Sequence, residues 1–268
     1  MPNTSQRVSA LQLNIHFNRK LFLAMLFSTF CTCTPCIAAN EVKLVLNDPT
    51  EAPYTTPDGT GFFDIIAREA FHRAGLKLTL IKLPAERGLI NANTGIDDGD
   101  FSRIAGIEKK YTNLVRVPEK LMNMDFVAFA RQSKPSEANW ANLADFSVGY
   151  IKGWKIFENN LTSSNNTLTA DNPEQLLTLL DKNRIDVALY DRWMGMALLN
   201  QMHIKNVRVV EPPLAEREMF IYLHKRHESK IPAIVAALRA IKSEGLYTKI
   251  CREKFGVLAT STAQCEIH

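Results

Sequence analysis

Residues 42–83 read VKLVLNDPTEAPYTTPDGTGFFDIIAREAFHRAGLKLTLIKL, and the rhythm of this stretch decides the fold class. Val42-Lys43-Leu44-Val45-Leu46 is a short apolar run of the kind that forms a buried strand. A loop punctuated by proline and glycine comes next, from Asp48 to Gly61. Phe62, Ile66, Ala70 and Ala74 then recur every four residues, with Phe63 and Phe71 widening the stripe. That spacing predicts an amphipathic helix, and Gly75 stands where a left-handed cap would end it. Leu76 to Leu83 alternates and predicts a second strand. Strand, helix, strand is the signature of a parallel sheet covered by helices.

The same alternation continues outward. Pro84 opens a short helix over Glu86 to Asn93, closed by Gly95. Asp97 to Ala105 returns to strand or loop, and Met122 to Arg131 is a long apolar strand. The polar stretch Gln132 to Asn142 marks a change of composition and a domain crossing. A second series begins there: strand at Phe146 to Ile151, helix at Trp154 to Leu161, a β-like run at Asn165 to Ala170. Asn172-Pro173 supplies an N-cap with proline at the first helical position, ahead of Leu176, Leu177 and Leu180. Ile185 to Tyr190 is a strand, Arg192 to Met202 a helix, and Val207 to Val210 and Met219 to Leu223 are two further strands. Ile231, Ile234, Val235, Leu238 and Ile241 form a last helical stripe stopped by Gly245. In such α/β series ligands bind at the carboxyl ends of the strands.

The first 38 residues read differently. Arg19-Lys20 precede the apolar run Leu21 to Phe30, and Cys36-Ile37-Ala38-Ala39 ends the segment on small residues. A basic start, a short apolar core and small residues before a cut predict a secretory signal peptide over residues 1–38 and a periplasmic mature chain. The core is too short to span a bilayer, which takes about 20 apolar residues. Its removal takes away Arg7, Arg19 and Lys20 and no acid, so the formal charge of +4 falls to +1. With no basic run or aromatic-basic interleaving left, nucleic acid is not an expected partner. Cys31, Cys33 and Cys36 leave as well, so Cys251 and Cys265 remain to form one disulfide in an oxidising compartment. The histidines show no paired metal spacing apart from His224/His227, and neither a metal nor another cofactor is expected.

Several segments, in order, resemble the periplasmic amino-acid-binding components of ABC transporters, the bacterial family-3 solute-binding proteins. Ala52-Pro53-Tyr54 ahead of Gly61-Phe62-Phe63-Asp64-Ile65-Ile66 is similar to the family's aromatic-bearing loop and its Gly-Phe helix opening. Gly95-Ile96-Asp97-Asp98-Gly99 resembles its "G-x-(V/I)-D-(A/G)" segment, and Val148-Gly149-Tyr150-Ile151-Lys152-Gly153 its entry into the second lobe. Asn183 to Asp191 resembles "G-x-(V/I)-D-A-x-x-x-D", and Glu244-Gly245-Leu246-Tyr247 through Phe255-Gly256 the closing segment. The resemblance implies an α/β fold of two lobes, the type II periplasmic-binding-protein architecture, each lobe a mainly parallel sheet flanked by helices. Lobe 1 would be residues 40–130 plus 222–268 and lobe 2 residues 131–221, with hinge strands at Met124–Arg131 and Glu218–Leu223. It further implies a monomer that closes on a small ligand and delivers it to an inner-membrane ABC permease.

An α-amino acid needs a guanidinium or helix N–H groups for its carboxylate, a carboxylate for its ammonium and an apolar wall for its side chain. Arg103, just after a strand, is the first candidate carboxylate anchor, with a surface arginine paired to a nearby acid as the alternative. The family's usual arginine, in "T-x-x-R", is replaced here by Ile107-Glu108-Lys109-Lys110. Arg87, in the first turn of a helix, is the second candidate. Asp191 matches the family's ammonium-binding aspartate and equally suits the N-cap of the helix that starts at Arg192. Tyr54 would stack on the ligand or pack its loop onto its own lobe. Trp154, after Gly153, would floor the pocket or pack between helices, and Tyr150 and Phe101 extend the wall.

Three classes of function fit such a chain: a solute-binding protein, a cyclohexadienyl-dehydratase-like enzyme on the same scaffold, and a ligand-sensing module for a partner receptor. No G-x-S-x-G, H-E-x-x-H or phosphate-cradling glycine loop is present, so the expectation is a binding protein rather than an enzyme. The enzyme would need a buried Glu or Asp of raised pKa, for which Glu86 and Glu119 are the candidates.

Overall fold

The computed structural model describes residues 42–131, 135–161, 166–256, 258 and 265; the predicted leader over 1–38 lies outside them. The first series runs β1 (Val42–Asn47), α1 (Phe62–Arg73), β2 (Leu76–Ile81), α2 (Ala85–Thr94), β3 (Gly99–Ile104) and a short β4 (Leu114–Arg116). After β5 (Met122–Arg131) the second comprises β6 (Val148–Ile151), α3 (Lys155–Glu158), β7 (Thr167–Ala170), α4 (Pro173–Asp181), β8 (Val187–Asp191) and α5 (Arg192–Gln201). β9 (Val207–His224), α6 (Ile231–Ser243) and α7 (Leu246–Phe255) complete the fold.

Local chemistry accounts for most of these limits. α1 buries Phe62, Phe63, Ile66, Ala67, Ala70 and Phe71, the four-residue stripe and its widening. α2 stops at Gly95, whose φ of 78° is cheap only without a Cβ. Asn172 caps α4 by accepting the Gln175 N–H at 2.8 Å, with Pro173 leading the helix. α3 is a single turn rather than the predicted run to Leu161, since Asn159 and Asn160, weak helix formers, come directly after it.

The strands form one sheet in the order β2-β1-β3-β9-β5-β8-β6-β7, with β4 on β9. Two parallel triplets, β2-β1-β3 and β8-β6-β7, stand on either side of the antiparallel pair β9-β5. The two strands predicted at Val207–Val210 and Met219–Leu223 are the ends of one 18-residue strand, β9. Its ladder with β5 jumps from Val210 opposite Ala128 to Ala215 opposite Phe126. Pro212 and Pro213 fall in that jump, where the missing N–H groups break the ladder while the chain stays extended. β4 escaped the sequence pattern because three residues are too few to show alternation.

An aromatic cluster fills the first half of the core. Tyr54 stacks on Phe63 with centroids 4.9 Å apart, Phe62 meets Tyr247 edge-on at 5.1 Å, and Phe255 lies 5.4 Å from Tyr54. α7 is tied down by the predicted disulfide from Cys251 to Cys265, a separation of 14 residues. Closing such a loop is worth roughly 3 kcal/mol in the chain-entropy model.

Candidate functional site

The first half presents a buried polar cluster at the carboxyl ends of β1 and β2 and along β3. β1 ends at Asn47, and the next residue, Asp48, turns under the loop with no exposed surface. Its Oδ1 accepts the Thr50 N–H and the Thr50 hydroxyl, each at 2.8 Å, while Oδ2 has no partner among the described residues. Burial pushes its pKa up to about 6, against the pull of the Thr50 N–H and the positive Lys82. Lys82 donates to the Thr55 hydroxyl at 2.6 Å.

Asp100 on β3 is also fully buried and is held by Arg103. Nε donates to Oδ1 at 2.5 Å and Nη2 to Oδ2 at 3.2 Å, a two-point grip, and Nη2 further donates to the Ala85 carbonyl at 3.0 Å. Residues three apart on a regular strand face opposite ways. Here Ser102 sits at φ 58° and the ladder with β9 shifts between Asp100 and Arg103, which brings the two side chains to one side. Burial raises the Asp100 pKa to about 6, with the Arg103 charge the largest opposing influence. Asn47 donates to Asp100 Oδ2 at 3.4 Å and accepts the Leu83 N–H at 2.7 Å. Gly88 of α2 lies directly over this pair: a Cβ there would fall 2.0 Å from Asn47 Nδ2 and 2.8 Å from Asp100 Oδ2.

In the second half β8 ends at Asp191, opposite Phe126 on β5. Asp191 is the N-cap of α5: Oδ1 accepts the N–H groups of Trp193 at 3.0 Å and Met194 at 2.9 Å. Its Oδ2 accepts the Tyr54 hydroxyl at 3.2 Å, so the contact reaches from the loop after β1 to the end of β8. Burial lifts the Asp191 pKa to about 7, the N–H of Met194 and the Tyr54 hydroxyl pull it down, and the nearby Asp125 charge adds to the rise. Burial and the Asp191 charge push the Tyr54 phenol well above its ordinary value. Two further contacts dock α5 on the first half: Trp193 lies 5.0 Å from Phe255, and the Glu51 N–H points at Met194 Sδ at 3.3 Å. Arg192 bridges the two long strands, donating to Asp125 of β5 at 2.9 Å and to Glu211 of β9 at 2.6 and 2.9 Å.

Beside Asp191, the half-buried Trp154 ring lies parallel to Phe157 at 5.7 Å and packs on Tyr190 at 4.9 Å and Phe126 at 6.0 Å. Tyr150, also half-buried, lies 6.5 Å from Phe157.

The predicted ligand residues divide accordingly. Trp154 and Tyr150 keep accessible surface near the end of β8. Phe101 is not a wall: it is fully buried, edge-on to Phe63 at 5.3 Å. Tyr54 packs onto its own half, between the phenyl rings of Phe63 and Phe255, and has no exposed surface. Arg103 takes the alternative role, an arginine paired with a neighbouring acid. Asp191 fills the N-cap role, and a solute would reach it only by displacing the Tyr54 hydroxyl. Arg87 is exposed on the first turn of α2, without an ion pair or hydrogen bond among the described residues. Glu86 and Glu119 are ordinary ionised carboxylates: Lys110 with Tyr111 holds the first below its usual pKa, and Lys242 with Arg239 the second, against the opposing effect of burial. Asp48 was missed. Its signal was an acid directly after an apolar strand, read as the first residue of a loop. No group of three metal-ligating side chains gathers among the described residues, and no described helix is long and apolar enough to cross a membrane.

No protein-family model matches the chain. An uncharacterized protein of Shewanella oneidensis is 22% identical over 241 residues, covering 85% of this chain and 91% of that protein. Among solved structures, a histidine kinase sensor domain with similarity to periplasmic binding proteins superposes with a TM-score of 0.69 at 16% identity, covering 81% of this chain and 96% of its own. The P235GK mutant of ArgBP from T. maritima gives 0.66 at 16% identity, covering 80% and 95%. A Streptococcus pneumoniae ABC uptake transporter substrate-binding protein with bound histidine gives 0.66 at 17%, covering 82% and 95%. The chain therefore has the two-lobed α/β architecture of the type II periplasmic binding proteins.

Proposed function

We propose that this protein is a periplasmic solute-binding protein that captures an amino acid or similar small polar solute between two lobes and presents it to an ABC permease. The lobes are residues 40–130 with 222–268 and residues 131–221. The observation that carries this reading is the pairing pattern. Two parallel triplets are joined within the sheet through β5 and β9, and polar and aromatic side chains gather beside that junction from both sides. Two crossing strands form a hinge, and a solute that touches both lobes favours the closed arrangement by its differential affinity. The relatives named for arginine and histidine support the small-polar-solute class. The residues offered to the solute are Trp154 and Tyr150 from lobe 2 and, from lobe 1, Arg87 at the rim. An enzymatic reading draws no support from Glu86 or Glu119, whose ion pairs keep them ionised.

The test is a thermal-shift screen of the purified protein against amino acids, amines, small peptides and carboxylates. A solute at 100 times its Kd adds about 2.7 kcal/mol, a rise of roughly 5–10 °C at 2–4 °C per kcal/mol. A hit lost in Trp154→Ala supports the site. Silence across the panel, or turnover of prephenate, overturns the reading.

A further inference from the structure

With residues 40–130 and 222–268 as one lobe and residues 131–221 as the other, as proposed, the first turn of α5 brings lobe 2 against lobe 1. We infer that Tyr54 and Asp191 form a latch by which the protein's own side chains hold the two lobes together, so that the lobes part only when this hydrogen bond breaks. The Tyr54 ring is fixed in lobe 1, stacked on Phe63 at 4.9 Å and lying 5.4 Å from Phe255. The Asp191 carboxylate is fixed in lobe 2, where its Oδ1 accepts the N–H groups of Trp193 and Met194. Across the boundary the Tyr54 hydroxyl donates to Oδ2 at 3.2 Å. Each group is held by its own lobe before the two meet, so the bond between them costs little further ordering.

Neighbouring contacts widen this bond into a seat. The Trp193 ring lies 5.0 Å from Phe255, and the Glu51 N–H points at Met194 Sδ at 3.3 Å. Arg192, in the same turn, grips Asp125 of β5 and Glu211 of β9, so the turn is tied to both crossing strands. A rotation of the lobes about those strands shifts α5 against Phe255 and draws the Tyr54 hydroxyl away from Asp191. Neither Tyr54 nor Asp191 has exposed surface. A partial opening would strand a buried carboxylate and a buried phenol, and stranding such groups costs more than the bond itself contributes. The contact is therefore all or none: made with the lobes together, exchanged for water with them apart. A solute enters through the open fraction alone, so the latch weakens its apparent affinity by that fraction.

The experiment measures the distance between lobes by pulsed electron paramagnetic resonance. Nitroxides are attached at Ile90→Cys on α2 of lobe 1 and Leu168→Cys on β7 of lobe 2, both exposed positions. Cys31, Cys33 and Cys36 are replaced by serine, and Cys251 and Cys265 stay in their disulfide. The parent should show one dominant distance. Tyr54→Phe keeps the ring and its stacking but loses the donor, and should raise a second, longer-distance population by about tenfold or more, the loss of one hydrogen bond to a charged group. Asp191→Asn keeps an oxygen for the cap and offers its amide to the Tyr54 oxygen, so its rise should be the smaller of the two. A Tyr54→Phe distribution superimposable on the parent's overturns the latch, as does an equal rise in the two variants. A broad parent distribution that Tyr54→Phe leaves unchanged overturns it while leaving the moving lobes intact. One narrow distance in the parent and both variants, unmoved by every solute of the thermal-shift panel, removes the latch and the closing-lobe reading together.

Discussion

Asp48 and Asp191 both stand at the carboxyl end of a strand in a parallel triplet, one after the middle strand and one on the inner strand, and are used in opposite ways. Each closes a strand of a parallel triplet, each is fully buried, and burial raises the pKa of each. Yet three donors converge on Asp191 from two halves of the fold, whereas Asp48 is met only by Thr50, on one oxygen, among the described residues. The cause lies in the next stretch of chain. α5 begins at the residue after Asp191, so its free N–H groups claim the carboxylate. After Asp48 the chain runs through a loop until α1 starts at Phe62, and no helix end is there to take the second oxygen. One aspartate has both oxygens engaged, the other only one.

The contrast breaks first at Asp191. Asp191→Ala removes a cap and leaves the buried Tyr54 hydroxyl without its acceptor, at a cost of about 1 kcal/mol for the cap and about 1–3 for the stranded group, roughly 2–4 kcal/mol together. Thermal denaturation should show the midpoint falling by roughly 4–16 °C at 2–4 °C per kcal/mol. Asp48→Ala should cost about 1–2 kcal/mol in the same assay, since it strands the buried Thr50 N–H, while the Thr50 hydroxyl keeps Thr55 as a partner. Equal losses at the two positions would mean that Asp48 is structural too. Gly88→Ala comes next. The added methyl must push Asn47 or Asp100 aside, an overpacking cost of roughly 1–3 kcal/mol. It should disturb the Asp100–Arg103 grip as well, and denaturant melts measure the loss. A variant as stable as the parent would show that α2 is free to lift off this cluster.

Much of the scaffold was legible in the sequence because it depends on near neighbours. The stripe Phe62, Ile66 and Ala70, the Asn172-Pro173 cap and the counting that left Cys251 for Cys265 all express local rules. The continuity of β9 was not legible, since Pro212 and Pro213 read as a break when they interrupt only the ladder. The candidate site was harder still. Tyr54, Phe101 and Arg103 carry the right chemistry for a ligand, but partners distant in sequence or a backbone irregularity claimed them: Phe255 for Tyr54, Phe63 for Phe101, and for Arg103 an aspartate that only the turn at Ser102 brings alongside. What a side chain is free to do depends on what has already taken it, and that is a property of the tertiary fold.

The finest difference between the two aspartates lies in their pH windows. A carboxyl whose pKa is raised on folding is bound more favourably as the neutral acid. Its contribution is fully present below the ordinary aspartate value of 3.8 and is lost as pH rises through the folded value, about 6 for Asp48 and about 7 for Asp191. The parent protein should therefore lose stability between about pH 4 and pH 7 by way of these groups and of Asp100, which is also raised to about 6. Asparagine cannot ionise, so each substitution removes its own share of that slope. Asp48→Asn should lessen the slope of the melting curve up to about pH 6, where Asp100 and Asp191 still titrate, and leave the fall between about 6 and 7 unchanged. Asp191→Asn should remove the fall between about 6 and 7 in particular, while keeping an oxygen for the cap and turning the contact with Tyr54 round so that the amide donates to the hydroxyl oxygen. Melting temperatures at roughly half-unit steps from about pH 4 to 8 separate the two profiles. Superimposable profiles would mean that the two carboxyls sit in the same electrostatic environment despite their unequal partners. The rise at Asp191 comes first from its burial, with the Asp125 charge adding to it.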